Sequence, residues 1–489
     1  MAESRRLEFG DFQTPQGLAS LVVDFLRSRG LRPRSVLEPT CGVGAFVGAA
    51  LNCFPDASVT AYDVNPDYVT ATAAKASASR LTCGVVNFFT GDWTATLHAL
   101  AEPILILGNP PWVTASGLGV LGSANLPAKS NFQHHRGLAA LTGKSNFDVA
   151  EWMVLRLLDA ARGRNVTLAM LLKTSVARRI LSHLWSTGAS IASVEILRFD
   201  AAAHFGVNAD ACLFLCRPGQ PASLECSIAT LDRPGDLHRI AWRDGTLVSD
   251  PASYDRHLGL LSHVASPDAM RWRSGMKHDC SPVMELRRDR DGGFVAAAGE
   301  RLELEPEYVF PLVKSTDVAR GETAAARKWV IVTQRKPGED TSAIAERAPR
   351  TWRYLCAHGE RLDARRSSIY RNRPRFSVFG VGPYTFAPWK VAISALHKHL
   401  SFSIVGPIDG RPAVLDDACY HLSCETEAEA RSIAGLLQYE GSRALLQSLI
   451  FWDAKRPITS EVLQRLDLRL VAERIRADEE RERTPDWQG

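Results

Sequence analysis

Residues 104–112 constrain the fold of this chain more than any other stretch. The stretch consists of four aliphatic residues followed by Gly108, Asn109, Pro110, Pro111 and Trp112. An apolar run of this length predicts a buried strand, and two consecutive prolines cannot continue a sheet because they lack amide hydrogens. Open α/β sheets bind their ligands at the carboxyl ends of strands. We therefore expect a functional site where this strand stops.

The four residues after the glycine also indicate the chemistry of the ligand. The side-chain oxygen of Asn109 and the carbonyl of Pro110 can accept both hydrogens of an exocyclic amino group, and the ring of Trp112 can stack on the heterocycle that carries it. A tetrad of Asn, Asp or Ser, two prolines and an aromatic arises by chance in roughly 1–2% of chains of this length. Chance is therefore a poor explanation, and we interpret the tetrad as a site for a planar amine.

A second pattern lies upstream, where residues 35–46 predict a strand, a turn containing Gly42 and Gly44, and the start of a helix. Glycines in such a turn allow the backbone to approach a ligand closely. The next predicted strand ends in Asp63, about 20 residues further on, which is the spacing at which a carboxylate binds ribose hydroxyls. The turn lacks a third glycine and follows Glu38, so the pattern argues against a dinucleotide.

In these motifs and their order, residues 9–215 resemble the gamma class of amino-methyltransferases, the N6-adenine DNA methyltransferases of restriction-modification systems. The resemblance implies an α/β protein with a Rossmann-like, S-adenosylmethionine-dependent methyltransferase domain and a carboxyl-terminal α+β target-recognition domain. The implied reaction transfers a methyl group from S-adenosylmethionine to N6 of an adenine that is flipped out of duplex DNA. Asn rather than Ser at position 109 favours adenine N6 over cytosine N4 within this family.

The resemblance also assigns residues to the cofactor. A Thr-Pro motif contacts the methionine part in the family, and Thr14 stands in that place, where it is also a candidate N-cap for an amphipathic helix over residues 18–26. Three acidic residues after successive predicted strands would hold the methionine, ribose and adenine portions in turn. The predicted cofactor-binding set is Thr14, Glu38, Pro39, Cys41, Gly42, Gly44, Asp63, Asp92 and Asn109.

The predicted catalytic residues are Asn109, Pro110, Pro111, Trp112 and Phe205. An aromatic at the equivalent of Phe205 packs on the target base in the gamma class, so the resemblance makes it a second wall beside Trp112. The reacting amine is neutral and the sulfonium methyl is already activated, so aligned acceptors can supply most of the catalysis without a strong base. Residues 114–146 are rich in Gly, Ser, Asn and Lys, and we interpret this long loop as a lid over the substrate.

The second half of the chain contains a candidate DNA-binding segment, residues 361–375. It carries six arginines and one aspartate, with hydroxyl and amide side chains between them. Arginines neutralise phosphates and read guanine, whereas hydroxyls and amides suit phosphates and adenine edges. We therefore predict that double-stranded DNA is contacted by Arg365, Arg366, Tyr370, Arg371, Arg373 and Arg375.

Length and composition set further limits. A chain of 489 residues exceeds what one hydrophobic core usually spans, and we divide it into a catalytic domain (1–230), a DNA target-recognition domain (231–471) and a charged tail (472–489). The net charge of +4 is too small to indicate polyanion binding by the chain as a whole. Scattered cysteines without ligand spacing predict no metal site, and the lack of an export signal or membrane span predicts a cytoplasmic protein.

Three alternatives stay open. The tetrad also serves N4-cytosine DNA methyltransferases, and it occurs in enzymes that methylate RNA bases or glutamine side chains, although such shorter chains would not explain the arginine-rich segment. The alternative from another class is a catalytically silent DNA-binding protein, against which the intact tetrad argues. A restriction-modification setting would add a separate restriction endonuclease as a partner.

Overall fold

The computed structural model describes residues 13–75, 79–113, 148–207, 209–262 and 270–483. The chain divides into two compact units, Met1–Pro251 and Ala252–Gly489. The boundary predicted at residue 230 falls too early, because two strands that follow it continue the sheet of the first unit. The lid predicted over residues 114–146 lies outside the described residues.

The first unit is built on a single ten-stranded sheet. Its strands are β1 (Ser35–Glu38), β2 (Ser58–Asp63), β3 (Leu81–Val85), β4 (Ile104–Gly108), β5 (Val166–Lys173), β6 (Ile191–Asp200), β7 (Asp210–Pro218), β8 (Glu225–Thr230), β9 (Arg233–Arg243) and β10 (Thr246–Val248). Its helices are α1 (Gln16–Ser28), α2 (Ala45–Cys53), α3 (Pro66–Ala73), α4 (Trp93–Ala99), α5 (Val149–Ala160), α6 (Thr174–Ser186) and α7 (Ala201–Phe205).

The strand order is β10-β9-β8-β6-β7-β5-β4-β1-β2-β3. The strands from β3 to β5 in this order run parallel to one another, and β7 lies antiparallel between β5 and β6. A mixed sheet with a parallel core confirms the predicted Rossmann-like fold. Every residue of β4 is buried, as its aliphatic sequence requires in the middle of such a sheet. Because β1, β2 and β4 are parallel neighbours, the residues that follow them meet at one edge.

The amphipathic helix predicted over residues 18–26 is α1, which buries five of its apolar side chains in the core of the first unit. The prediction of Thr14 as its N-cap is wrong. Pro15 takes that position with φ −60° and ψ 140°, and no side chain caps the helix. The helix begins at Gln16, one residue later than an N-cap at Thr14 would place it.

The second unit contains two smaller sheets, one of four strands in the order β11-β20-β17-β18 and one of six in the order β14-β13-β12-β16-β15-β19. Its strands are β11 (Arg273–Ser274), β12 (Glu285–Arg288), β13 (Phe294–Val295), β14 (Arg301–Leu302), β15 (Val309–Val313), β16 (Lys328–Ile331), β17 (Trp389–Ser394), β18 (Phe402–Val405), β19 (Val414–Leu415) and β20 (Cys419–Cys424). Most pairs are antiparallel, and β15 with β19 is parallel.

Helices of the second unit begin at the unit boundary and continue to the end of the described chain. They are α8 (Pro251–Arg256), α9 (Ser281–Met284), α10 (Ser315–Arg320), α11 (Ile344–Arg347), α12 (Pro349–Ala357), α13 (Gly359–Asp363), α14 (Glu427–Gln438), α15 (Glu440–Leu449), α16 (Ser460–Leu463) and α17 (Leu468–Arg483). Short 3-10 turns occur at Leu258–Leu260, Pro306–Tyr308, Ser368–Tyr370 and Pro383–Phe386.

The carboxyl-terminal helices α14 and α15 are separated at a single residue, Tyr439. Gly435 lies within α14 and Gly441 lies within α15, and the chain turns at Tyr439, whose backbone is extended at φ −52° and ψ 136°. A glycine only weakens a helix, and the turn forms where tertiary contacts require it. Helix α17 begins at Leu468 and includes residues 472–483 of the predicted charged tail. Within the described residues, no helix is long and apolar enough to cross a membrane.

Candidate active site

The tetrad of residues 109–112 follows β4 directly, at the edge where β1 and β2 also end. Gly108 pairs with Met170 of β5 across the ladder. A Cβ atom at this glycine would lie 3.8 Å from Cγ of Glu38 and 3.5 Å from Sδ of Met170. The end of β4 therefore borders the end of β1, and the two motifs that the sequence singled out lie side by side.

Trp112 is more enclosed than the sequence suggested. Only 7% of the residue is exposed, and its indole N–H donates to the carbonyl of Leu171 at 3.2 Å. Phe205, which is half-buried, contacts the indole edge to face, with ring centroids 5.4 Å apart and an interplanar angle of 62°. The structure thus brings the two predicted aromatic residues together, and Phe205 is the more accessible of the pair.

Lys173 and Asp148 are neighbours of the tetrad that the sequence reasoning missed. The Nζ atom of Lys173 donates to the Trp112 carbonyl at 2.9 Å and to Oδ2 of Asp148 at 3.1 Å. The amide of Val149 donates to the carbonyl of Val113 at 2.9 Å. The sequence did contain a signal for Lys173. It is a polar residue at the end of an apolar strand, as Asn109 is a polar residue directly after β4.

The glycine turn after β1 is held by the side chain that ends β2. Gly42 and Gly44 have φ values of +50° and +76°, which L residues with side chains rarely adopt. The amide of Gly42 donates to Oδ2 of Asp63 at 2.9 Å, and Oδ1 of the same carboxylate accepts from the amide of Asn65 at 2.9 Å. The Asp63 carboxylate therefore ties the glycine turn after β1 to the loop after β2.

Glu38 is a buried carboxyl group at this edge. It is 3% exposed, and its Oε2 atom has no hydrogen-bond partner within the described part of the chain. Burial, and then the neighbouring Asp63, raise the pKa of Glu38 well above its ordinary range. The hydroxyl of Thr40, two residues further on, is also a buried oxygen without a partner among the described residues. Two such atoms fit a ligand that brings hydrogen-bond donors.

The other predicted cofactor residues differ in their surroundings. Pro39 and Cys41 are buried in the turn, and burial is the first cause that raises the pKa of Cys41 to about 12. Thr14 is half-buried, but it is Gln13, which the sequence reasoning missed, whose Oε1 accepts from the amide of Val43 at 3.0 Å. Asp92 is exposed and caps α4 by accepting from the amide of Ala95 at 2.9 Å.

No three His, Cys, Asp or Glu side chains are grouped to hold a metal ion in the portion that the structure describes.

In the second unit, two of the predicted DNA-binding arginines hold the arginine-rich segment to its own unit. The guanidinium of Arg365 donates to the carbonyls of Leu362, His278 and Ser377 at 2.7, 3.2 and 2.7 Å. Burial lowers the pKa of Arg365. Arg375 pairs with Asp363 at 2.8 Å.

Tyr370 supports the same segment from within. Its ring lies 3.7 Å under the guanidinium carbon of Arg365 and contacts Phe379 edge to face at 5.2 Å. Burial is the main cause that raises the pKa of Tyr370 above its ordinary range. The ring is therefore engaged inside the unit.

The remaining three predicted arginines, Arg366, Arg371 and Arg373, are exposed. Among the described residues none of them has an ion pair or hydrogen bond, although many arginines of this chain do. Asn372 between the last two has φ +58°, a left-handed conformation that Asn tolerates better than most residues. The structure thus divides the six predicted residues into three that anchor the segment and three that it displays.

Comparisons with known proteins add a close relative. The chain is 41% identical over 480 residues to the Type II methyltransferase M.NspV of Nostoc sp. (strain ATCC 29411 / PCC 7524), covering 97% of this chain and 99% of that protein. It also resembles the solved structure of the Type IIL restriction-modification enzyme MmeI in complex with DNA, with a TM-score of 0.54 and 13% identity over 99% of this chain and 69% of that one. No protein-family model matches the chain. The second likeness extends to the fold alone.

Proposed function

Because this chain belongs to the type II methyltransferases, we propose that it methylates N6 of adenine at a specific site in duplex DNA, with S-adenosylmethionine as the methyl donor. The single observation that carries this proposal is the position of Asn109. It directly follows the buried strand β4, beside the end of β1 and its glycine turn. An acceptor for an exocyclic amine thus borders a set of acceptors suited to a nucleoside-containing cofactor.

The edge of the sheet suits the proposed cofactor for an electrostatic reason. A carboxyl group that is buried and has a raised pKa is stabilised in its ionised form by a cationic ligand. S-adenosylmethionine has an ammonium group and a sulfonium centre, and it supplies a methyl group that is already activated for transfer. Glu38 would hold the cationic methionine end through its unpartnered Oε2, and Asp63 would accept from the ribose hydroxyls. Thr14, Pro39, Cys41, Gly42 and Gly44 complete the proposed set around the turn.

Asp92 is proposed to bind the adenine portion of the cofactor, but only one of its two oxygens is available for this role. One of its oxygens already accepts the Ala95 amide at the start of α4. The carboxylate can still accept an amino hydrogen through its second oxygen. Substitution of Asp92 by Asn would preserve the cap and weaken only the second interaction, so it separates the two roles.

The chain's own residues would promote transfer by placing two acceptors on the target amine. The side chain of Asn109 and the carbonyl of Pro110 accept its two hydrogens, which directs the nitrogen lone pair toward the methyl group. Pro111 fixes the backbone between them and Trp112. Phe205 and Trp112 form the aromatic wall for the flipped base, and Phe205 offers the more exposed ring. This arrangement requires alignment rather than a strong base.

The second unit is proposed to recognise the target sequence. Its displayed arginines, Arg366, Arg371 and Arg373, are the natural contacts for phosphates or guanine edges, while Arg365, Tyr370 and Arg375 act indirectly by fixing the segment. The same family membership supports a further proposal about partners, namely that this protein acts in a restriction-modification system together with a separate endonuclease.

The reaction is tested by incubating the purified protein with duplex DNA of mixed sequence and S-adenosylmethionine labelled in its methyl group. The DNA is then digested and its nucleosides are identified by mass spectrometry. Labelled N6-methyladenine is the expected product. If the product is N4-methylcytosine, the methylated base is cytosine and not adenine. No labelled nucleoside from DNA, with cofactor bound by titration, would refute the proposal in favour of an RNA, protein or binding-only role.

A further inference from the structure

Backbone amides can hold the tetrad of residues 109–112 only in part. Pro110 and Pro111 have no amide hydrogen, so half of its main-chain donors are missing. Hydrogen bonds made by its side chains and accepted by its carbonyls therefore contribute more to its position than in an ordinary loop. A difference of about 1 Å in the position of a reacting group can change a rate by about 100-fold.

The described contacts that fix the end of the tetrad come from β5. The indole of Trp112 donates to the carbonyl of Leu171 at 3.2 Å, and the carbonyl of Trp112 accepts from Nζ of Lys173 at 2.9 Å. Leu171 and Lys173 are two residues apart on the same strand, so Trp112 is held at both its ring and its main chain by one rigid element. The first contact could be made by any strand, since it uses a backbone carbonyl. The second depends on the lysine.

The ammonium group of Lys173 is itself fixed by a buried carboxylate. Asp148 accepts from Nζ at 3.1 Å through Oδ2, while its Oδ1 accepts from the amide of Ala150 at 3.2 Å, at the start of α5. The side chain of Asp148 is 5% exposed and that of Lys173 is 30% exposed. The carboxylate is thus oriented by the helix terminus, and a sheltered pair of this kind is held more firmly than an exposed ion pair.

From these contacts we propose that Lys173 is a positioning residue for methyl transfer, which sets the place of Asn109 and Pro110 by holding the carbonyl of Trp112. The proposal rests on the function proposed above for the tetrad. Lys173 need not touch the base or the cofactor in this role, because it acts through the main chain of the tetrad.

The test compares Lys173→Met, Lys173→Arg and a matched control, Arg179→Met. Arg179 of α6 pairs with Glu151 of α5 at 2.6 Å, so it joins the elements that flank Lys173 and Asp148 without contacting the tetrad. The measurements are the single-turnover rate of methyl transfer to duplex DNA, the dissociation constant for S-adenosylmethionine, and amide hydrogen exchange at Trp112 and Val113.

We expect Lys173→Met to slow the single-turnover step by about 100-fold, to leave cofactor affinity within about twofold, and to speed exchange at the two amides. Lys173→Arg should recover most of the rate, because a guanidinium can donate to both acceptors. Arg179→Met should lower thermal stability and leave the rate unchanged.

Two results would overturn the proposal. One is a wild-type rate in Lys173→Met. The other is a loss of rate in Arg179→Met as large as that in Lys173→Met, which would show that Lys173 only stabilises the fold. If the wild-type protein methylates no DNA base, the proposed function fails, and hydrogen exchange still decides the positioning role: unchanged exchange in Lys173→Met would refute it.

Discussion

Replacement of Arg366, Arg371 and Arg373 together by glutamine tests whether the displayed part of the arginine-rich segment binds DNA phosphates. The three side chains are exposed and have no ion pair among the described residues. Each contact between a cation and a phosphate contributes about 0.9 to the slope of log affinity against log salt concentration. Loss of three contacts should therefore reduce the magnitude of that slope by about 2.7.

The slope translates into a measurable difference in affinity. Salt concentration rises fourfold between 50 and 200 mM. Over this range, a difference of about 2.7 in slope means that the wild type loses about 40-fold more DNA affinity than the triple variant. The assay is fluorescence anisotropy of a labelled duplex over a salt series, with wild-type and triple-variant proteins. An unchanged slope would refute phosphate contact by these residues, whatever happens to the affinity at one salt concentration.

The matched control is Arg365→Gln, in the residue that bonds three backbone carbonyls of its own unit. A buried donor group that is removed leaves those acceptors unsatisfied, at a cost of about 1–3 kcal/mol. We expect this variant to lower the free energy of unfolding and to keep the wild-type salt slope wherever the protein remains folded. A reduced slope in the folded control would show that Arg365 itself contacts DNA.

Three further outcomes are expected. Asn109→Ala should lose most of its methyl transfer while cofactor binding by titration persists; full activity would contradict the assigned role. Gly44→Ala should destabilise the first unit by at least about 1–2 kcal/mol in denaturant unfolding, because φ is +76° and a Cβ atom would lie 2.8 Å from Thr72; wild-type stability would contradict the strain. The second unit should lose stability in acid. Burial lowers the pKa of His421 from 6.5 to about 3. Between these values the unfolded state binds a proton that the folded state does not, so the free energy of unfolding falls as pH falls. Glu285 is buried, but its cationic partners lower its pKa, so it acts in the same direction below its ordinary pKa. Thermal unfolding from pH 7 to pH 4 measures this loss, and His421→Leu should reduce it; equal pH dependence in the variant would contradict the assignment.

Local sequence patterns were sufficient for the central strands of the sheet and for the order of the motifs along the chain, but not for its last two strands, β9 and β10. The buried strand β4 and the amide that follows it were predicted from an aliphatic run that ends in two prolines. The end of β2 at Asp63 and the burial of α1 followed from periodicity in the same way. These features depend on residues that are neighbours in the chain, because strand burial and helix amphipathicity are properties of short segments.

Contacts between distant residues were decided by the tertiary structure. Lys173 and Trp112 are 61 positions apart, and Gln13 and Val43 are 30 apart, so no local pattern could pair them. The sequence by itself determined where an acceptor, a glycine turn and a cluster of arginines stand along the chain. The fold determined which of these groups are already satisfied, because a side chain is free to bind a ligand only if no distant part of the same protein has used its hydrogen bonds or its charge.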